Sequence, residues 1–295
     1  MQGRGLAAAP MLLALAGCTA TVQPSPPPAA QQLASPPPAA AAAADFGLKG
    51  RIEQGGLAIG TVPVGTAALT LDGKPVPIAS DGRFLIAFDR DQGPTMLLSA
   101  TMRDGTLRQR ALAVQPHAWQ IESLPTLPKG TTPTPEFLAR RSIELAQISA
   151  ARARDTRSEG WRQHFIWPAR GRISGVFGSQ RIYAGEPGAY HSGVDIAQPI
   201  GTPVVAPADG VVILAAESPF TLEGNLLMID HGMGLNSAFL HLSRIDVKVG
   251  QAVRQGQPIG AIGMTGRATG PHLHWAMKWR DVRFDPAPLA GPMTP

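Results

Sequence analysis

The sequence predicts a mainly β protein: a small N-terminal β-sandwich domain, one connecting helix, and a compact antiparallel, barrel-like C-terminal β domain. Short apolar runs separated by Asp-Gly and other Gly-rich turns occur on both sides of residue 134, as in sandwiches and barrels. Only residues 134–157 have a capped helical pattern, and no long helix signal follows them. Apolar residues make up 44% of the 295-residue chain and charged residues 16%, which favours a globular exported chain over a disordered one.

Residues 1–17 are typical of an export signal, with Arg4 before a short apolar segment. That segment is far shorter than the roughly 20 residues of a membrane-spanning helix. It ends in Leu-Ala-Gly-Cys18, which resembles the bacterial lipobox, so we predict that Cys18 is lipidated and becomes the mature N-terminus. The alternative is an ordinary secretory signal with an incidental cysteine. Because Cys18 is the only cysteine, an intramolecular disulfide framework and a cysteine-rich zinc site are both excluded.

Residues 18–44 are predicted to be the lipid anchor and a Pro/Ala-rich linker. Its proline tracts favour an extended spacer of about 3 Å per residue. Thr19, in place of an aspartate, implies sorting to the outer membrane. We therefore expect an exported lipoprotein at the periplasmic face of the outer membrane, attached through Cys18 without spanning it.

Residues 45–128 are predicted to form the small β domain. Asp-Gly turns at residues 72, 81 and 104 separate runs of strand-forming residues. His117 has no partner motif and is not expected to bind a metal. The sequence leaves open whether this domain binds or positions a partner, or is only a structural spacer.

Residues 129–160 are predicted to form the connecting helix, starting at Thr134 with a proline in the first turn. We expect Leu138, Leu145 and Ile148 to pack against a domain. The arginines on the remaining faces are expected to be solvated: Arg140, Arg141, Arg152 and Arg154.

Residues 161–295 contain many glycines and short apolar strands. The segments 201–206 and 210–215 are predicted to pair with each other around the turn at 207–210. Residues 224–230 are predicted to form a buried strand.

This C-terminal region also concentrates the histidines. Four of the chain's seven lie in three short segments: His191-Ser-Gly-Val-Asp195, Phe-Leu-His241-Leu and Pro-His272-Leu-His274-Trp. On a strand, His272 and His274 point to the same face while Leu273 points to the other. Histidine nitrogen and carboxylate oxygen are ligands that suit zinc.

His191 and Asp195 are four residues apart, too far in an extended strand to bind one ion. We expect the chain to bend between them at Gly193, which has the conformational freedom to allow it. His241 follows an apolar run and is expected to project from the end of its strand into the same cavity.

The three segments, in this order and with the surrounding glycine turns, resemble the lysostaphin-type (LytM-like) zinc metalloendopeptidases over residues 161–287. The resemblance implies one Zn²⁺ per site bound by His191, Asp195 and His274, with His241 and His272 as the catalytic pair. His231 matches a family position that is usually structural, and His164 matches no motif. The resemblance also implies hydrolysis of peptide cross-links in bacterial peptidoglycan, with water activated by zinc and the two histidines. The chain contains no His-Glu-x-x-His glutamate base.

The net charge of +5 favours acidic partners, but no basic run with interleaved aromatics supports nucleic-acid binding. The expected partners are peptidoglycan peptide stems and, through the anchor, a membrane; protein partners are not indicated. Two alternatives remain. One is a LytM-like module that binds peptidoglycan and activates other wall hydrolases without hydrolysing it. The other is a transport lipoprotein that binds copper or nickel, which would leave the His191–Asp195 segment unexplained.

Overall fold

The computed structural model describes residues 42–127 and 133–293, and its mainly β architecture confirms the predicted fold class. The signal peptide, Cys18 and most of the linker lie outside the described residues. Nine strands precede the first helix: β1 (Ala42–Ala43), β2 (Lys49–Gly50), β3 (Leu57–Thr61), β4 (Thr66–Leu71), β5 (Lys74–Val76), β6 (Arg83–Ala87), β7 (Thr95–Met102), β8 (Leu107–Ala113) and β9 (Ile121–Leu124).

Strands β1 to β8 form two sheets, as predicted for the small sandwich. One sheet has the order β1-β8-β7-β4-β5 and the other β2-β3-β6. Phe46 and Phe84 meet edge to face in the core, with their ring centroids 6.2 Å apart. The predicted Asp-Gly turns at residues 72 and 104 connect β4 to β5 and β7 to β8.

The connecting helix is α1 (Pro135–Arg152), and the Thr134 side chain caps it by accepting a hydrogen bond from the Phe137 amide at 3.2 Å. Its predicted packing face is partly wrong. Ile148 is buried, but Leu138 and Leu145 are about half exposed, and Glu144 and Ala151 are buried instead. The reason is a polar contact: Glu144 accepts hydrogen bonds from the amide and hydroxyl of Thr221, which sets the rotation of the helix.

The prediction that the arginines of α1 are solvated is also partly wrong. Arg141 donates to both carboxylate oxygens of Glu223, at 2.5 and 2.6 Å, and its side chain is largely buried. Arg152 is partly buried as well. Both residues lie where α1 packs on the C-terminal sheet, so their side chains cannot extend into solvent.

The C-terminal region contains a short 3₁₀ helix (Gly160–Arg162), thirteen strands and the short helix α2 (Ala287–Ala290). The strands are β10 (Arg172–Gly175), β11 (Gln180–Tyr183), β12 (Glu186–Pro187), β13 (Val194–Ala197), β14 (Pro203–Val205), β15 (Gly210–Ala215), β16 (Asn225–Gly232), β17 (Leu235–Leu242), β18 (Arg244–Ile245), β19 (Ala252–Val253), β20 (Pro258–Ala261), β21 (His272–Trp279) and β22 (Val282–Phe284).

The main sheet has the order β10-β13-β21-β17-β16-β15-β19, with β22 on β21, and it stays open rather than closing into a barrel. A second sheet has the order β14-β20-β18. The predicted pairing of 201–206 with 210–215 is therefore wrong. β14 pairs with β20 and β15 with β16, because residues 206–209 carry the chain from one sheet to the other.

The two β regions are joined by a sheet of their own. β9 pairs in parallel with β11, which also pairs with β12. The described residues all belong to one compact unit. The predicted domain boundaries at 128 and 160 remain predictions.

In the part of the chain that the structure describes, no helix combines the length and the apolar composition that a bilayer span requires.

Candidate metal centre

Strand register brings the predicted ligands together. In the antiparallel pairing of β13 with β21, Asp195 lies directly opposite His274, and Ala197 lies opposite His272. Leu273 is fully buried on the other face, so the two histidines share one face of β21 as predicted.

Three donor atoms from two segments form a tight cluster at this position. Asp195 Oδ1 lies 3.0 Å from His191 Nε2 and 2.8 Å from His274 Nδ1, and these two nitrogens are 3.0 Å apart. Among the described residues, this is the one group of histidine, cysteine or acidic side chains with metal-binding geometry.

Hydrogen bonding fixes the orientation of the first ligand. His191 Nδ1 donates to the carbonyl of Val176 at 3.0 Å, which directs Nε2 at the cluster. A backbone carbonyl behind a ligating imidazole is a common way to set its tautomer. Sequence reasoning could not find this contact, because any residue can supply a carbonyl.

Two glycines leave room for the cluster. A Cβ added at Gly175 would lie 2.5 Å from Asp195 Oδ2, and one at Gly193 would lie 2.7 Å from His274 Nε2. Gly193 is therefore required because the backbone and the His274 ring approach closely; its φ is not positive, so the conformational freedom expected of it is not used. The close approach at Gly193 explains why the segment between His191 and Asp195 contains a glycine.

The electrostatics of the cluster suit a cation. Burial acts to raise the pKa of Asp195, but hydrogen bonds from His191 and His274 hold it well below its usual range. Burial lowers the pKa of His274. Burial also opposes protonation of His191, although the Asp195 carboxylate outweighs it and raises that pKa. The result is a buried carboxylate anion between two imidazoles.

His241 and His272 lie beside this cluster with their ring centroids 4.8 Å apart. Each Nδ1 is held 2.8 Å from a backbone carbonyl, that of Thr265 for His241 and that of Gly270 for His272. Both Nε2 atoms are therefore available on the side of the site, and His272 Nε2 lies 3.8 Å from Asp195 Oδ1. Burial lowers the pKa of His241 to about 4, so this imidazole is neutral at neutral pH.

His241 reaches the site through an unusual backbone. Its φ is +63°, and its amide donates to the carbonyl of Glu223 at 2.8 Å, near an irregularity in the pairing of β16 with β17. A positive φ at a non-glycine residue is uncommon and re-aims the side chain. The predicted projection from the strand end is thus achieved by a kink.

The structure therefore brings all five predicted site residues together, while their individual roles remain predictions. The other histidines lie elsewhere. His231 is fully buried, with Nδ1 2.8 Å from the Asp209 carbonyl and Nε2 2.7 Å from the Ser237 hydroxyl. His117 is exposed and packs on Trp119, and His164 is exposed.

Comparison with known proteins assigns this geometry to a family. A family model described as peptidase family M23 matches residues 189–286, a range that contains all five site residues. A crystal structure described as a peptidase M23 from Pseudomonas aeruginosa superposes with a TM-score of 0.64 and 32% sequence identity, covering 82% of this chain and 96% of that one. The chain belongs to peptidase family M23.

Two curated relatives have names that state different roles. Peptidoglycan DD-endopeptidase ShyA of Vibrio cholerae is 44% identical over 116 residues, which cover 39% of this chain and 26% of ShyA. Cell division protein DipM of Caulobacter vibrioides is 37% identical over 128 residues, 43% of this chain and 20% of DipM. The matched part is thus about a quarter or less of these relatives.

The M23 site fits Zn²⁺ as its cofactor. Two imidazole nitrogens and one carboxylate oxygen form a donor set that zinc favours, and three protein ligands leave a position open for catalysis. Ligands at about 2.0–2.2 Å from one ion must lie within about 4.4 Å of each other, and the three donor atoms satisfy this. His191, Asp195 and His274 are the residues that would hold the ion.

Proposed function

We propose that this chain is a zinc-dependent endopeptidase that hydrolyses peptide cross-links of peptidoglycan during remodelling of the cell wall. The observation that carries the proposal is the convergence of a His-Asp-His donor set with two further histidines whose Nδ1 atoms are bound to backbone carbonyls. The peptidoglycan substrate is supported by the name of ShyA, which is 44% identical to this chain over 116 residues.

The metal and the two catalytic histidines have different chemical roles. Zn²⁺ bound by His191, Asp195 and His274, which we call the metal triad, would supply Lewis acidity, which polarises the scissile carbonyl and makes water more acidic. Neutral His241 offers Nε2 as an acceptor for the proton of the attacking water. His272 Nε2, on the Asp195 side, is placed to donate to the developing oxyanion when it carries a proton, and one of the pair later protonates the leaving amine.

Digestion of purified peptidoglycan tests the proposal. Protein loaded with zinc should convert cross-linked muropeptide dimers to monomers, a chelator should stop the reaction, and added zinc should restore it. Mass analysis of the fragments identifies the cleaved bond. If protein with stoichiometric zinc leaves the dimers intact, hydrolysis is contradicted and the non-hydrolytic activator is favoured. The retained site residues argue against that alternative.

We also propose that the protein is a lipoprotein at the periplasmic face of the outer membrane. The support is the sequence around Cys18 and the uncharged spacer after it. Fractionation of cells expressing the wild type and Cys18→Ser tests this. The wild type should be found with outer membranes and carry lipid, and the variant should not; equal distribution of the two would contradict the anchor.

A further inference from the structure

A groove under α1 opens onto the metal centre. It is a cavity of about 120 Å³. His274 and Ser192 line it at the metal centre, and side chains of α1 cover the sheet face beyond them. The strands beneath it are β16, β17 and β21. The groove therefore continues the face of the sheet that carries the site.

Three cations line the same groove away from the metal. Lys278 lies on the face of β21 that carries His274, four residues further along, which at strand rise is about 13 Å. Arg283 lies opposite Lys278 in the pairing of β21 with β22. Arg152, in the last turn of α1, completes what we call the cation cluster: Arg152, Lys278 and Arg283.

The acidic groups nearby offset the cation cluster only in part: Asp89, Asp281 and Glu223 act on the pKa of Lys278 or Arg152 more weakly than burial and the neighbouring cations do. Glu223, which also lines the groove, is bound by Arg141 through two hydrogen bonds. Asp281 lies 4.0 Å from the Lys278 ammonium, but its side chain is fully exposed and contributes little. Arg283 lies beside the hydroxyl of Tyr190, which is neutral.

Burial and mutual repulsion make the charged forms of the cation cluster less favourable. Within the described residues, Arg152 Nε is buried without a hydrogen-bond partner. Burial, and after it the nearby Arg283, lowers the pKa of Arg152 to about 10. Burial and Arg152 likewise lower the pKa of Lys278. Like charges opposite each other on paired strands are also unfavourable. An anion in the groove would offset each of these effects.

We propose that the cation cluster is a subsite for a free carboxylate of the substrate peptide, within about four extended residues of the cleaved bond. The proposal rests on the proposed peptidase function, since it specifies which peptides the groove accepts. A carboxylate matches the donors, because a guanidinium binds its two oxygens in a planar pair and the ammonium adds a charge-assisted hydrogen bond. Because the cation cluster lies beside a peptide-cleaving site, the carboxylate belongs to the peptide that is cleaved.

Kinetics with two matched substrates test the subsite. One is a soluble cross-linked muropeptide dimer with free carboxyl groups, and the other is the same dimer with those groups converted to carboxamides. The wild type should prefer the carboxylate form by about 10- to 100-fold in kcat/KM. The preference should decrease as salt screens the charges.

Lys278→Gln and Arg283→Gln should each reduce that preference, because each should lower kcat/KM for the carboxylate form more than for the carboxamide form. Lys248→Gln and Arg254→Gln are matched controls, because both residues are exposed and lie outside the groove. These four variants avoid the more buried Arg152, and their thermal unfolding checks that they fold. If Lys278→Gln and Arg283→Gln keep the full wild-type preference, the subsite proposal is wrong.

Equilibrium binding separates failure of the subsite from failure of the proposed function. If the zinc-loaded wild type cleaves neither dimer, the peptidase proposal fails, and the Kd of each dimer then tests the cluster alone. Tighter binding of the carboxylate form that Lys278→Gln and Arg283→Gln abolish would support the subsite. Equal Kd values for both forms in the wild type would overturn it.

Discussion

At the residue scale, the five clustered side chains differ in whether they belong to the metal triad. His272 Nε2 is 3.8 Å from Asp195 Oδ1, farther than the 2.8–3.0 Å between the triad atoms. We therefore expect His272→Ala to retain zinc while losing about 100- to 10,000-fold in kcat, the usual contribution of a general acid or base. Metal analysis and muropeptide turnover measure this, with His117→Ala as the control. Loss of zinc would reverse the assignment of ligand and catalytic roles.

Asp195 is the one acidic member of the metal triad, which consists of His191, Asp195 and His274. Its carboxylate supplies the negative charge of the site and hydrogen bonds to His191 and His274. Asp195→Ala should therefore lose both bound zinc and activity, because two neutral imidazoles retain a cation weakly. Metal content after dialysis measures this, with the exposed Asp246→Ala as the control. A variant that still holds one equivalent of zinc would exclude Asp195 as a ligand.

His231 predicts a pH dependence of stability. Burial lowers its pKa in the folded state to about 4, below the unfolded value near 6.5. Between these values only the unfolded state binds the proton, so its contribution is full above pH 6.5 and is lost as pH falls towards 4. The difference in unfolding free energy between the wild type and His231→Gln should therefore shrink by about 3 kcal/mol over that range. Denaturant titrations at several pH values measure it; a constant difference would contradict the prediction.

At the element scale, α1 is attached to the loop that precedes β16. Glu144 binds Thr221, and the neighbouring Arg141 binds Glu223, whose carbonyl accepts the amide hydrogen of His241. The helix thus contacts the catalytic region through a chain of hydrogen bonds. We expect Glu144→Ala to destabilise the protein by about 3 kcal/mol, because it leaves buried donors unpaired.

Thermal and denaturant unfolding measure this effect. Glu217→Ala is the control, since Glu217 is an exposed acid on the same loop. A Glu144→Ala variant as stable as the control would show that the contact between Glu144 and Thr221 does not stabilise the docking of α1.

The elements also show which features the sequence could predict. Strand alternation places His272 and His274 on one face without knowledge of the fold, and the Thr134 cap fixes where α1 starts. The rotation of α1 and the partner of β14 depend on contacts between distant segments. Local apolar periodicity favoured Leu138 and Leu145 as the packed face, but the bond from Glu144 to Thr221 determined it.

At the scale of the whole molecule, the small β region supports the metal centre. Arg90, buried in that region, donates from Nε to the carbonyl of Gly178 at 2.9 Å and lies over the ring of Tyr190 at 5.1 Å. Gly178 in turn donates its amide hydrogen to the carbonyl of His191 at 2.8 Å. The backbone of the metal ligand His191 is therefore held, through Gly178, by a side chain that lies 88 residues before Gly178 in the chain. No local pattern in the sequence reveals such a contact.

We expect Arg90→Met to weaken zinc binding by about 10-fold, the lower end of the effect of losing an outer-shell partner. Competition with a chromophoric chelator measures the affinity. Arg108→Met is the matched control, because Arg108 is an exposed arginine of the same region. Unchanged affinity in Arg90→Met would mean that residues 42–127 do not position the metal ligands.

The parallel pairing of β9 with β11 also has a consequence for biosynthesis. Glu122 and its partner Arg181 are separated by 59 residues, so β9 leaves the ribosome long before the strand that pairs with it. During that interval its backbone groups form an open edge that a strand from another chain can occupy. Parallel, non-local pairing is also slow to form. The metal triad is completed later still, because β21, which carries His274, follows β11 in the chain.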